Sequence, residues 1–349
     1  MATLKKSKLF KTLALMLAAI FTLICFAACG KGEENADTTE APTEKQTEAP
    51  VSDGVIRNPL TGEPGYDEAQ LKARPVFVSV ENHPEARPQW GITESDMVFE
   101  MVAEGGITRT LQVFANPDRL PDKIGPTRSA RYYFVDLVDG YDAYFVHFGC
   151  NTYAEANIAE YGTADIDGYI HGGYFHRDES RNVAFEHTAY TTKDDVKEAI
   201  ADLGYRTEIK DAYAQPYKFN AEPVALGGGE CTEFTVDFSS SFVYTFTYDA
   251  ENKVYLSHLN GEAFCGSNGV QQSFTNLLVL YTTVSTLDAS NKTVRLGLDE
   301  GSGKYISNGT QMDITWKKGN HGDMLKFYDA NGEEIALNVG RSYVGIVGK

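Results

Sequence analysis

Val76-Phe77-Val78-Ser79-Val80 decides the fold class. Four of its residues are β-branched or aromatic, which favours a pleated strand. Asp96 to Val102, Thr110 to Phe114 and Ala143 to Phe148 repeat that character. Helical patterns lie between and after them. Ala130, Phe134, Leu137 and Val138 share one face of a 3.6-residue period, and Lys193 to Leu203 shows the same spacing. Strands alternating with helices predict a mixed α/β layer over residues 58–215.

Beyond it the pattern changes. Asn260-Gly261, Asn268-Gly269, Asn308-Gly309 and Asn331-Gly332 are hairpin dipeptides between β-rich runs. Tyr244 to Tyr248, Leu277 to Val284, Met312 to Trp316 and Tyr343 to Val347 supply the strands. Residues 216–349 are therefore expected to be β-rich and mostly antiparallel. The fold class is α+β.

The other end of the chain carries targeting information. Lys5, Lys6, Lys8 and Lys11 precede an apolar run from Leu13 to Ala28, the pattern of a secretory signal. Phe26-Ala27-Ala28-Cys29 resembles a bacterial lipobox, with Phe26 where Leu is usual. That resemblance implies removal of residues 1–28 and a diacylglyceryl group on Cys29. The apolar run is shorter than the roughly 20 residues of a membrane-spanning helix. Two acyl chains anchor stably where one is marginal. The expected location is the outer face of the cytoplasmic membrane, with the membrane itself as a partner through Cys29. Residues 29–57 are rich in Glu, Thr, Pro and Ala and are expected to be a disordered acidic tether.

The net charge of −18 becomes −22 once the four lysines of the signal are gone. Such a chain has no diffuse attraction for nucleic acid. Of the cysteines, Cys150, Cys231 and Cys265 remain, and a Cys231–Cys265 bridge is expected in an exported domain.

The densest polar cluster is Lys123-Ile124-Gly125-Pro126-Thr127-Arg128-Ser129-Ala130-Arg131. Thr127 is placed to cap the helix that follows, so Arg128, Ser129 and Arg131 would surround free amides and favour an anion. The competing reading pairs both arginines with the protein's own carboxylates. His147, Arg177, Arg181 and His187 are further lining candidates. There is no His-Glu-x-x-His and no Cys-x-x-Cys, so no metal site and no cofactor are expected. Cys150, close to His147, could be a nucleophile, but a lone cysteine is more often a small buried hydrophobe. Glu100 and Glu104, flanking a glycine turn, are the alternative acid and base for a glycoside or peptide cleavage.

Several runs together resemble the YerB-like bacterial lipoproteins. They are Arg74-Pro75, Glu81-Asn82-His83-Pro84-Glu85-Ala86-Arg87-Pro88-Gln89, Glu104-Gly105-Gly106-Ile107-Thr108-Arg109, Ile124-Gly125-Pro126 with Arg128-Ser129-Ala130-Arg131, and Trp316 with Phe327-Tyr328-Asp329-Ala330-Asn331-Gly332. The likeness runs from about Asn58 to Val347. It implies a lipid-anchored, two-domain protein of unknown function and carries no catalytic residues. This chain departs from the pattern at Gly149-Cys150, where Gly-Gly is more usual, and around His187, where Pro-His-Asn is more usual. The expected role is binding of a polar, anionic ligand or of an envelope partner such as a cell-wall component. The alternatives are a cell-wall glycan or peptide processing enzyme and a structural partner in envelope assembly.

Overall fold

The strands that open the chain and those that close it lie in one sheet. The computed structural model describes residues 54–289 and 292–349. The signal, Cys29 and most of the tether fall outside the described residues.

Ten strands form the main sheet. They are Val76–Glu81 (β1), Met97–Val102 (β2), Thr108–Phe114 (β3), Tyr144–His147 (β4), Ala164–Asp167 (β5), Asn276–Thr282 (β6), Glu300–Ser307 (β7), Thr310–Lys317 (β8), Lys326–Tyr328 (β9) and Ser342–Gly348 (β10). Their order across the sheet is β9-β8-β7-β6-β10-β2-β3-β1-β4-β5. The first part is mixed: β1 runs antiparallel to β3 and parallel to β4, which is parallel to β5. The second part is mostly antiparallel hairpins, β6-β7-β8-β9. The last strand, β10, lies parallel to both β2 and β6 and joins the two parts. A central parallel strand is buried on both faces, so it reads as an almost unbroken apolar run, here Tyr343 to Val347. Strands from both sides of residue 216 thus share one hydrogen-bonded ladder.

Alternation along β1 shows how the faces are filled. Phe77 points into the core that holds Tyr133, Phe134, Leu137 and Val138 of helix Tyr132–Asp139. Val76, Val78 and Val80 point the other way, into the core that holds Val196, Ala199 and Ile200 of helix Lys193–Asp202. That second core continues under a smaller sheet built from Glu233–Ser239, Phe242–Asp249, Val254–Leu259 and short flanking strands.

Asn308-Gly309 closes a two-residue hairpin between β7 and β8, with φ of 50° and 72°. Asn260-Gly261 does the same after Val254–Leu259, with φ of 53° and 86°. Positive φ at both central residues defines the type I′ turn and explains the choice of Asn-Gly.

Two expectations need correction. The helix after Gly125-Pro126 starts at Tyr132 with Arg131 as its N-cap, so Thr127 caps nothing and Ala130 precedes the helix. Thr127 instead bridges to Val80 beside β1. Cys231 and Cys265 are free thiols, as is Cys150. Cys231 precedes Glu233–Ser239 at one edge of the smaller sheet, and Cys265 follows the strand Glu262–Ala263 at the other. Two strands, Phe242–Asp249 and Val254–Leu259, lie between those edges, and the expected Cys231–Cys265 bridge is not formed.

Candidate functional site

The segment 124–131 runs extended between the ends of β1 and β4. Glu81 N donates to Pro126 O, Arg128 N to Ser79 O, Phe148 N to Arg128 O and Ala130 N to Gly149 O. This clamping puts Arg128 beside Glu81, the last residue of β1. Arg128 Nε lies 3.0 Å from Glu81 Oε1, and its Nη2 lies 3.3 Å from Glu186 Oε1. Glu81 is buried, and its other oxygen receives His187 Nδ1 at 2.8 Å. His187 closes the short turn Phe185–His187 and is itself buried.

Arg177 stands at the rim of this cluster. Its guanidinium carbon lies 4.5 Å from the Phe148 ring centroid and 4.1 Å from that of Phe185. Nη1 donates to Phe185 O at 2.7 Å. Among the described residues no carboxylate pairs with it. Burial lowers its pKa, and so does the like charge of Arg128. Phe185 is exposed, as are Tyr169 and Ile170.

The other predicted residues go elsewhere. Arg131 grips Glu104 through Nε and Nη2 at 2.6–2.9 Å. Burial opposes ionisation of Glu104, but the bonds and charge of Arg131 outweigh it and hold the carboxyl below its usual range. Ser129 Oγ donates to Phe148 O, and Ser129 O accepts from Arg109 Nη1. Arg181 stacks on Trp90 at 4.5 Å and donates to Pro88 O. Lys123 also stacks on Trp90, at 3.8 Å, and pairs with Asp178 at 2.7 Å. A groove of about 420 Å³ adjoins Trp90, but its lining mixes Arg119, Lys123 and Lys193 with Glu94, Asp118 and Asp122.

His147 does not join His187. It is wholly buried at the end of β4, with Nδ1 at 2.9 Å from Gly149 O and Nε2 at 3.5 Å from Asp165 Oδ2. Cys150 pairs alongside Ala130, and no histidine bonds to it among the described residues. Burial, with the charges of Asp167, Glu155 and Asp165, pushes its thiol up to about 11. A thiol so raised is a poor nucleophile at neutral pH.

Glu100 is fully buried in a polar knot. Its oxygens accept from Asn82 Nδ2, Thr108 Oγ1 and Tyr343 OH. Burial pushes its carboxyl up to about 7, against the pull of these hydrogen bonds. It has no open face for a substrate, and Glu104 is committed to Arg131.

Residues 60–206 match the N-terminal domain of a family described as a protein of unknown function, DUF3048, and residues 234–344 match its C-terminal domain. The chain belongs to this family. A relative in Bacillus subtilis (strain 168), named "Putative lipoprotein YerB", is 30% identical over 302 residues, spanning 84% of this chain and 86% of that protein. The crystal structure of the Bacillus subtilis YerB protein superposes with a TM-score of 0.71 at 26% identity, covering 84% of this chain and 96% of that one. The resemblance and the fold class read from the sequence are both met by these findings.

Sequence reasoning passed over Glu81, Glu85 and Glu186 as site members. The run Glu81-Asn82-His83-Pro84-Glu85 was the available signal: acids and an imidazole crowded at a strand end. Its meaning depends on His187, which only the folded chain brings near.

Proposed function

We propose that the chain is a lipoprotein, held at the outer face of the cytoplasmic membrane by acyl chains on Cys29, whose folded part binds a polar, anionic ligand or envelope partner at Arg177. The location rests on the lipobox-like run and on the name of the relative. Among the described residues no helix is long and apolar enough to cross a membrane.

The binding reading rests on one observation. Arg177 is held between two aromatic rings, without a carboxylate, beside a second arginine. The part-desolvated Arg177 guanidinium gains from an anion beside it, which would also relieve its repulsion from Arg128; Arg128 itself is already shared by Glu81 and Glu186. Stacking fixes the planar fork in advance, which lowers the entropic cost of binding. Arg131 and Ser129 drop out of the site, because Arg131 is taken by Glu104. Cleavage by Glu100 and Glu104 has less support, since one is sealed and the other clamped.

The test is a thermal melt of the full chain in detergent against phosphorylated and carboxylated envelope fragments. A ligand at 100 times its Kd should add about 2.7 kcal/mol of stability. Arg177→Gln is the informative variant because it strands no partner charge. It should remove most of the response. An unchanged response in Arg177→Gln, or no response of the wild type to any fragment, refutes the anion reading. A wild type that captures an envelope protein instead would favour the structural-partner alternative.

A further inference from the structure

Two histidines distant in sequence meet over a carboxylate. His83 caps the turn Pro84–Ala86, and its ring stacks on that of His187 with centroids 4.6 Å apart and planes 2° apart. One nitrogen of each ring and one oxygen of Glu85 lie within 4.8 Å of one another. His187 is buried, His83 partly buried and Glu85 exposed.

Glu81 settles the tautomer of His187. Its Oε2 is 2.8 Å from Nδ1, so Nδ1 donates to it, while Oε1 faces Arg128. A neutral His187 then carries its lone pair on Nε2. That atom lies 3.4 Å from Glu85 Oε2 and 3.8 Å from Glu186 Oε1. A lone pair facing two carboxylates is repulsive unless a positive species lies between them. A divalent cation there could also take a lone pair of His83, at the cost of the hydrogen bond that His83 Nδ1 accepts from Glu85 N at 3.3 Å. It would also help balance Glu81, Glu85 and Glu186, whose ion pairs with arginine among the described residues are those of Arg128 with Glu81 and Glu186.

We propose that His83, Glu85 and His187 form a divalent transition-metal site, with Glu81 as the positioning residue behind His187. A carboxylate bonded to the far nitrogen of an imidazole is the usual outer support of a metal-bound histidine. Two imidazoles and one carboxylate suit zinc better than calcium or magnesium, which prefer oxygen alone. Three protein ligands leave a fourth position for water or a donor from a bound molecule.

Bonds of 2.0–2.1 Å place tetrahedral donors about 3.4 Å apart, so the cluster must tighten. Glu85 is free to swing inward. His83 must turn out of its stack, since parallel rings cannot aim both in-plane lone pairs at one ion. The site does not use Arg177, so it stands or falls apart from the anion reading.

The experiment is a calorimetric titration of the chelator-stripped full chain in detergent with zinc chloride alone. The wild type should bind one zinc saturably in the cluster. Glu85→Gln changes an exposed side chain and should leave the zinc-free melting temperature near wild type, whereas His83→Ala also removes a cap and a ring stack, so its zinc binding is read below its own melting temperature. Each should weaken that binding by at least the roughly tenfold that even an outer-shell change costs. His187→Ala should do the same, but it also disturbs Glu81, so the His83 and Glu85 variants decide the test. Absence of saturable zinc binding in the wild type overturns the proposal. So does a loss below tenfold in either the His83 or the Glu85 variant, which would place the zinc elsewhere on the chain.

Discussion

Replacing Glu100 by Gln should change how stability depends on pH. Glu100 sits in the core where β2, β3 and β10 meet, and its carboxyl is pushed from 4.5 to about 7 by burial. In the unfolded chain it ionises near 4.5. Between those values the folded protein holds a proton that the unfolded chain has lost, so stability falls as pH rises. The slope is about 1.4 kcal/mol per pH unit, and the total from pH 5 to pH 8 is roughly 2–3 kcal/mol. Gln is neutral throughout. Its oxygen can accept from Asn82 and Thr108, and its amide can donate to the Tyr343 hydroxyl, which can accept as well as donate. Any cost of the substitution is therefore independent of pH. The assay is urea unfolding of both proteins at pH 5, 6, 7 and 8. The difference between them cancels the background from the other acids. It should move in favour of Glu100→Gln by roughly 2–3 kcal/mol, or about 1 M in midpoint for an m-value near 3 kcal/mol/M. A difference that stays constant from pH 5 to pH 8 would refute the reasoning, because Glu100 would then not be the group that titrates.

Cys29→Ala should block lipid processing and shift the protein out of the membrane fraction; normal processing and membrane fractionation of that variant would remove the lipoprotein claim. The mature protein, denatured without reductant, should titrate for free thiols at Cys150, Cys231 and Cys265 alike, and a deficit of two would show a bridge. Native Cys150 should alkylate slowly at pH 7 and faster as pH approaches about 11, where its thiol ionises; rapid labelling at pH 7 would return it to the list of nucleophiles.

Much of the local structure is legible in the residues because local structure depends on neighbours. Val76 to Val80 is a strand by composition, Asn308-Gly309 is a hairpin turn by its tolerance of positive φ, and Lys193–Asp202 is a helix with a Thr192–Asp195 capping box. The Thr127 cap fails for a non-local reason. Its backbone finds partners in β1 and Ala189, which compete successfully with helix formation.

The sequence by itself determined many of the strands, the helix Lys193–Asp202 and the Asn-Gly turns, and that the first part is mixed α/β and the last mostly antiparallel. Periodicity, turn chemistry and short runs are written over a few residues, so no folded partner is needed to read them. The tertiary structure decided that β10 inserts between β2 and β6, that Arg128 spends its charge on Glu81 and Glu186, that Glu100 is sealed, and that His83 meets His187. Each of these depends on which distant surfaces are buried against one another. A carboxylate, guanidinium or imidazole has the same chemistry in the sequence wherever it lies. Burial, distance and the second partner alone determine whether it stabilises the fold or is left to bind something else.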